Sequence, residues 1–187
     1  MKRLKPCFFV DVGAYVGYYT LLMAEEGCDV IALEPDPRSF VLLVDNITLK
    51  RLQRKIVVFN KAICESNQLV LFKFSKSPSE SSFTSYMRGG DLVEFTRSVP
   101  CVTLDSVLST FEPRNLILKI DVEGAALQVL KGGMRTIARF KPHIVLEVHR
   151  THESDELLVL SILRKHGYRW RILEWRNSRN FIVALEP

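Results

Sequence analysis

The sequence predicts an α/β fold of the Rossmann type, with a mostly parallel seven-stranded sheet, helices on both faces and a C-terminal antiparallel hairpin. Three observations favour this fold. Short apolar runs alternate with helical patterns along most of the chain, as they do in βαβ units. Several of these runs lack polar alternation, which is typical of strands buried on both faces. Two extended segments near the end are joined by the polar turn 176–179, which indicates a hairpin.

The first third of the chain predicts a strand–helix–strand–helix–strand run. A short apolar run suits each strand, and Gly27 is suited to the end of the first helix. Asp36 followed by Pro37 is typical of the start of the second helix. This order implies parallel strands with right-handed crossovers. The predicted ranges are 7–12, 18–26, 29–33, 36–50 and 55–60.

The middle of the chain has a different pattern. Residues 68–74 alternate like a half-buried strand, and residues 92–102 are also extended. Residues 75–90 are rich in serine and contain Pro78 and a pair of glycines. Connections of this length inside compact domains are usually functional or disordered. We therefore predict either a mobile lid over a site or a surface loop.

Strands and helices alternate again from residue 103. Thr103 and Ser154 are suited to helix N-caps, and Gly167 is suited to a helix end. Because the last two strands form a hairpin, one strand of the sheet is expected to run antiparallel. The predicted helices are 103–110, 124–131, 134–140 and 154–166, and the predicted strands are 116–121, 143–149, 168–175 and 180–185.

Length and charge limit the class of protein. The 187 residues suit one domain over 1–187, without a separate substrate-binding domain. The net charge of +5 permits an anionic partner, but no long run of like charges demands one. Selection of an acceptor would then rest on residues 75–90, on the strand ends or on a second subunit of a homo-oligomer.

The cysteines and the N-terminal segment predict a cytoplasmic protein. No CxxC motif occurs, so we interpret the cysteines as buried free thiols rather than as disulfides or zinc ligands. The apolar segment 12–24 imitates a signal peptide, but Asp11 and two glycines argue against one. No apolar run reaches the roughly 18 residues of a membrane span. The four cysteines are Cys7, Cys28, Cys64 and Cys101.

A glycine-containing turn joins the first strand to the first helix. Residues 11–17 have the pattern D-x-G-x-x-x-G, whereas a dinucleotide fingerprint needs G-x-G-x-x-G. Asp11 stands where the first glycine would be, and a carboxylate there repels a pyrophosphate. The sulfonium and ammonium of S-adenosylmethionine suit this acid better. The alternative interpretation is that Asp11 caps the helix.

Acids also follow two later strands. Glu34 ends the second strand, where an acid can accept both ribose hydroxyls of a nucleoside; the alternative is a surface acid. Asp121 and Glu123 stand at the carboxyl end of the fourth parallel strand, where open α/β sheets bind ligands. Two residues apart, they can point the same way. Glu123 could equally cap the following helix.

Five sequence runs together resemble the FkbM family of class I S-adenosylmethionine-dependent methyltransferases. They span about residues 8–149, and the fourth is the most specific. The runs are VDVGA with GYYT at 10–20, ALEP at 32–35, VTLD at 102–105, KIDVEG at 119–124 with Val129, Leu130 and Gly132, and VLEVH at 145–149.

The resemblance implies transfer of a methyl group from S-adenosylmethionine to oxygen, on a small-molecule or glycan hydroxyl. It places residues 60–63 near the adenine. The cofactor-binding residues that we predict are Asp11, Gly13, Ala14, Tyr15, Gly17, Glu34, Pro35, Asn60, Ala62 and Asp121.

Two positions depart from the family pattern. The family usually has Asn where Tyr15 stands, which changes how the methionine end of the cofactor is held. It usually has an acid where Ala126 stands, and the alanine removes a helix carboxylate that could serve a substrate or a metal.

Methyl transfer to a hydroxyl needs alignment and benefits from a general base. The predicted catalytic residues are Asp121, Glu123 and His149, with Glu147 nearby. His149 has the most suitable ordinary pKa, although a structural histidine is an equal alternative. The spacing of Glu147, His149 and His152 does not define a metal geometry, and we predict no metal site.

Two other functions compete with this prediction. Aromatic residues alternate with arginines between 168 and 181, which is compatible with an RNA methyltransferase, although packing in the core explains the aromatics better. The departures at Tyr15 and Ala126 are also compatible with a module that binds the cofactor without catalysis.

Overall fold

The secondary structure alternates strands and helices as the sequence predicts. A computed structural model describes residues 6–75, 82–83, 93–149, 153–175 and 180–187. Its strands are β1 (Phe8–Val12), β2 (Asp29–Leu33), β3 (Ile56–Phe59), β4 (Ala62–Ile63), β5 (Gln68–Ser75), β6 (Ser82–Phe83), β7 (Val93–Val102), β8 (Leu116–Ile120), β9 (His143–His149), β10 (Arg169–Trp175) and β11 (Asn180–Glu186). Its helices are α1 (Tyr18–Glu25), α2 (Pro37–Leu49), α3 (Leu104–Val107), α4 (Ala126–Lys131), α5 (Met134–Phe140) and α6 (Glu153–Lys165).

Seven strands form the main sheet in the order β10-β11-β9-β8-β1-β2-β3. β3, β2, β1, β8 and β9 pair in parallel, whereas β11 is antiparallel to both β9 and β10. The Rossmann-like, mostly parallel sheet and its antiparallel hairpin are therefore confirmed. The turn predicted at 176–179 lies outside the described residues.

Helices cover both faces of this sheet because the strand side chains alternate between two apolar layers. Val10 and Val12 of β1 belong to one layer, with α3 to α6. Phe9 belongs to the other, with Leu43 and Ile47 of α2. By the same alternation, Asp11 points towards the α1–α2 side.

A second, smaller sheet has the order β4-β7-β5-β6. Its long pair is β5 with β7, and Phe72, Phe74 and Val99 form its buried side. The two extended segments were predicted, but their pairing into a separate sheet was not. Within 75–90 the structure describes only Ser75, which ends β5, and β6; residues 76–81 and 84–92 lie outside the described part of the chain, so the lid or surface loop stays a prediction.

The interpretation of the cysteines as free thiols is wrong. Their burial is as predicted, but Cys7 bonds to Cys28 and Cys64 bonds to Cys101. The first pair lies at the starts of the neighbouring strands β1 and β2, with Cα atoms 4.7 Å apart. The second joins β7 to the end of β4, with Cα atoms 5.7 Å apart. Strand pairing across 21 and 37 residues creates both contacts.

Of the three predicted helix N-caps, two are confirmed and one is wrong. Asp36 accepts a hydrogen bond from Arg38 N, and Thr103 accepts one from Ser106 N. Ser154 is not an N-cap, because α6 already begins at Glu153. Among the described residues, no helix combines the length and apolarity needed to cross a membrane.

Reducing the two disulfides should destabilise the protein. Each closes a loop, and the chain-entropy account gives about 3–4 kcal/mol per bridge for loops of this size. Urea unfolding with and without reductant measures the difference. The variant Cys64→Ser/Cys101→Ser is the control, because its response to reductant should fall to that of one bridge. Alkylation of all four thiols in unreduced, unfolded protein would contradict both bridges.

Candidate functional site

The candidate site lies where the strand order of the main sheet reverses. β1 has β2 on one side and β8 on the other, and the chain leaves all three strands at the same edge. In open α/β sheets, ligands bind in the crevice at this switch point. The turn 13–17 and the acids Glu34 and Asp121 all follow directly at this edge.

Asp11 is the most deeply buried acid of the site. Its exposed fraction is 0%, and its Oδ2 accepts a hydrogen bond of 2.7 Å from Thr20 Oγ1 of α1. Its Oδ1 lies 3.0 Å from Lys119 Nζ, as an ion pair without an aligned hydrogen bond. The α1 N-cap is Gly17, with no side-chain cap. The alternative interpretation of Asp11 as that cap is therefore wrong.

Lys119 of β8 connects three parts of the site. Its Nζ donates to the Gly13 carbonyl at 2.8 Å and lies 3.4 Å from Asp121 Oδ2. Burial lowers the pKa of this ammonium, but the charges of Asp11 and Asp121 outweigh burial, so the pKa lies above its ordinary value. Sequence reasoning missed this role, although a lysine inside an apolar strand was a visible signal.

Glu34 is buried, so the alternative of a surface acid is wrong. Its two carboxylate oxygens accept backbone hydrogen bonds, from Tyr15 N at 2.7 Å and from Asp36 N at 2.8 Å. Burial raises the pKa of Glu34 to about 7, although both amides act to lower it. When Glu34 is ionised, each of its carboxylate oxygens has a second lone pair that can accept another hydrogen bond. Two such acceptors match the two hydroxyl donors of a ribose diol.

The two glycines of the turn allow the chain to approach itself. Gly13 has φ +82°, and a Cβ there would collide with the Asp121 carbonyl. Gly17 has φ +95°, and a Cβ there would lie 2.6 Å from Leu43 of α2. Backbone conformation favours glycine at both positions, and the close approach of the Asp121 backbone also requires it at Gly13. Ala14 N donates to the Leu33 carbonyl at 3.0 Å, which ties the turn to β2.

The structure places the other predicted cofactor residues in two locations. Asn60 Nδ2 donates to the carbonyls of Glu34 and Pro35, at 2.8 and 3.2 Å, and so fixes the chain after β2. Ala62 is buried in the apolar cluster of the second sheet. Its assignment to the cofactor remains a prediction.

The predicted catalytic residues lie at or just after the carboxyl ends of β8 and β9. The Asp121 side chain is 34% exposed, and Glu123 follows it in the turn before α4. Glu123 does not cap α4, because the N-cap position is Ala125 and no side chain caps it. His149 ends β9 beside Asn180, but its side chain lies outside the described part. Among the described residues, no group of three or more His, Cys, Asp or Glu could hold a metal.

Arg38 joins the site to the second sheet, which sequence reasoning also missed. Its guanidinium pairs with Asp36 at 2.7 Å and with Glu94 of β7 at 2.7 Å. It also donates to the Ser75 carbonyl at 2.8 Å. Asp105, in the VTLD run, instead accepts from the amides of Arg135 and Thr136 at the start of α5, which is a structural role.

Comparison with known proteins identifies the family. The sequence profile described as "Methyltransferase FkbM domain" matches residues 11–170. The chain belongs to this FkbM methyltransferase family. One relative, a hexuronic acid methyltransferase of Haloferax volcanii, is 25% identical over 175 residues, which are 93% of this chain and 68% of the relative.

Two solved structures share the fold of this FkbM-family chain. A methyltransferase FkbM of Methylobacillus flagellatus has a TM-score of 0.68 at 19% identity, over 97% of this chain and 44% of that one. The chain therefore spans less than half of that protein. A Streptococcus mutans protein in complex with SAH has a TM-score of 0.56 at 9% identity, over 96% of this chain and 88% of that one.

Replacing Tyr15 with asparagine should stabilise the protein. Tyr15 has φ +51°, a left-handed conformation that asparagine tolerates better than tyrosine. Its amide, which bonds to Glu34, is retained. We expect Tyr15→Asn to raise the free energy of unfolding by about 0.5–1 kcal/mol, measured by urea unfolding.

Tyr18→Asn is the matched control. Tyr18 is also exposed, but it lies in α1, where the backbone is right-handed. This variant should gain no stability. A loss of stability in Tyr15→Asn, or an equal gain in both variants, would contradict the role of backbone conformation.

Proposed function

We propose that this chain transfers a methyl group from S-adenosylmethionine to a hydroxyl of a small molecule or sugar. The observation that carries the proposal is the buried Glu34 carboxylate beside the left-handed turn at the switch point. A carboxylate at the end of the second strand can accept both hydroxyls of a ribose, and the acids around Lys119 suit a ligand with a cationic end.

The comparisons support the donor and the acceptor class separately. A structural neighbour binds SAH, the product that remains after S-adenosylmethionine loses its methyl group. The Haloferax volcanii relative is named for a hexuronic acid, a sugar that offers several hydroxyls. We therefore propose a glycan or small-molecule hydroxyl as the acceptor.

The residues of the chain would orient the reactants and accept one proton from the acceptor hydroxyl. When bound, the donor supplies an electrophilic methyl on sulfur. The residues at this edge of the sheet would align the acceptor oxygen with that methyl group, and a base among them would take the hydroxyl proton. Asp121, Glu123 and His149 are the proposed candidates for that base, since they lie at or just after the carboxyl ends of β8 and β9.

A transfer assay tests the proposal. Purified protein is incubated with S-adenosylmethionine carrying a labelled methyl group and a panel of hexuronic acids, other sugars and phenols. Label in a sugar or small-molecule hydroxyl supports the proposal. Binding of S-adenosylmethionine without transfer to any acceptor would favour the non-catalytic module, and absence of binding at millimolar concentration would exclude both.

RNA is the second candidate acceptor, because the edge strand β10 is exposed along its whole length. Trp170 and Trp175 are 46% and 57% exposed, so the prediction that these aromatics pack in the core is wrong for both, although Tyr168 and Phe181 are buried. Two arginines lie on the same strand. RNA binding that weakens steeply with salt would support this acceptor.

The remaining predictions concern the state of the protein in the cell. We propose one methyltransferase domain over residues 1–187, a cytoplasmic location and assembly as a homo-oligomer. The two disulfides of the structure do not favour this location, because a reducing cytoplasm keeps such pairs as dithiols. Acid quenching of cells followed by alkylation distinguishes four thiols, as the cytoplasmic location requires, from two intact disulfides.

Binding of the nucleoside should strengthen as pH rises through about 7, the pKa of Glu34. The ribose hydroxyls donate to the ionised carboxylate, so only that form binds well. From pH 6 to pH 8 the ionised fraction grows about tenfold, and the affinity should grow by the same factor. Methylthioadenosine is the suitable ligand, because it has ribose hydroxyls and no group that titrates in this range.

Glu34→Gln is the control for that pH dependence. Its affinity should be at least about tenfold weaker at pH 8, the usual loss for a hydrogen bond to a charged group, and independent of pH. An unchanged affinity would contradict the ribose assignment. The raised pKa also has an effect on folding: the stability due to neutral Glu34 is complete below 4.5 and is lost as pH rises through about 7.

A further inference from the structure

The strand β10 lies at one end of the main sheet and pairs with a single neighbour. Among the described strands that neighbour is β11, and all seven residues of β10 are exposed. Its large apolar side chains are between 38% and 57% exposed: Trp170, Ile172, Leu173 and Trp175. An exposed, apolar edge strand of this length is a template for pairing with another chain.

The side chains of β10 divide unevenly between the two faces of the sheet. The register with β11 shifts at Leu173, where β10 has one extra residue, and such a bulge interrupts the alternation of side chains. Both tryptophans and Ile172 therefore lie opposite buried residues of β11, on one face. Arg171 and Glu174 lie on the other face.

This arrangement is self-complementary about a two-fold axis that passes through Ile172. Residues directly opposite each other in an antiparallel pair share a face of the sheet. When Ile172 lies opposite its own copy, Arg171 lies opposite Glu174 of the second copy. Trp170 then lies opposite Trp175 of the second copy, and the symmetry forms each contact twice. Opposite charges and aromatic pairs both stabilise neighbouring strands.

The charges on β10 select this register and this kind of partner. Symmetric pairing centred on Arg171 or on Glu174 would place like charges directly opposite, which is destabilising. RNA is the competing partner, but Glu174 would repel its phosphates, whereas a second copy uses that carboxylate. Glu174 has an interaction within its own chain, and a carboxylate can accept several hydrogen bonds at once.

We propose that β10 is the interface between two copies of this chain, which pair antiparallel through this strand and join two seven-stranded sheets into one. This inference assigns a surface to the proposed homo-oligomer and rests on that part of the proposed function, not on methyl transfer. Because the copies run antiparallel, the two candidate sites lie at opposite edges of the combined sheet.

Sedimentation equilibrium with charge-reversed variants tests the interface. Wild-type protein, from micromolar to millimolar concentration, should show a monomer–dimer equilibrium. Arg171→Glu places a glutamate opposite Glu174 at both contacts and should raise the dissociation constant of the dimer by about tenfold. Arg171→Glu/Glu174→Arg reverses both charges and should restore the wild-type constant to within about twofold. A strand that is merely destabilised would not recover in this way.

Arg139→Glu is the matched control for the change of charge. Arg139 also belongs to an exposed ion pair, with Glu112 at 2.8 Å, but it lies on α5. This variant lowers the net positive charge by the same amount as Arg171→Glu and should dimerise like the wild type.

Ile172→Cys tests the position of the two-fold axis. Cα atoms of opposite residues in an antiparallel pair are about 4.5–5.5 Å apart, a separation that a disulfide spans. Since the native cysteines already form two bridges, the new thiol should join two chains, seen as a dimer on a non-reducing gel. Leu69→Cys is the control: Leu69 is 70% exposed on the second sheet, and this variant should stay uncrosslinked.

Each outcome has one meaning. A wild type that is monomeric at every concentration overturns both the interface and the homo-oligomer, and leaves methyl transfer untouched. RNA binding by such a monomer that Arg171→Glu abolishes would assign β10 to RNA instead.

If wild type dimerises but Arg171→Glu matches Arg139→Glu, or the double variant does not recover, the homo-oligomer stands and this interface is overturned. If a charge-reversed variant does not fold, the cysteine variants still decide. Crosslinking of both Ile172→Cys and Leu69→Cys, or of neither, overturns the interface.

Discussion

A buried ammonium is the constraint on which the site depends. Lys119 lies in the middle of the main sheet, where an unpaired charge would be very costly. It is stable there because β1 supplies Asp11, the turn supplies a carbonyl, and the chain after β8 supplies Asp121. Breaking a buried pair of this kind typically costs about 3–5 kcal/mol. The two strands and the turn are therefore held in one arrangement before any ligand arrives.

Glu34 extends the same arrangement to β2 and to the second sheet. Its carboxylate joins the turn to the start of α2 through two backbone amides. The next acid, Asp36, caps α2 and pairs with Arg38, which also reaches Glu94 of β7. A shift of the second sheet would thus be transmitted through these contacts to Glu34, the residue that we propose binds the ribose. The same polar contacts therefore stabilise the fold and position the candidate site.

The sequence predicted the parts of the site that depend on local patterns. Gly13, Glu34 and Asp121 each stand directly after an apolar strand, and parallel strands bring their ends to one edge. Contacts between residues far apart in the sequence could not be predicted from local patterns. The cysteine pairs depend on which strands are neighbours, and the second sheet depends on how β5 and β7 pair. The partners of Lys119 are likewise visible only when β1 and β8 lie side by side, 106 residues apart in the hydrogen bond to Gly13.

The position of β11 has a consequence for how the protein is made. β11 follows β10 in the chain but lies between β9 and β10 in the sheet. As the polypeptide leaves the ribosome, β10 emerges before the strand that will attach it. Pairing with β11 covers only one backbone edge of β10, and among the described strands the other edge stays open. The two tryptophans of β10 also stay exposed in the folded protein, so this edge can associate with other chains after folding as well as before it.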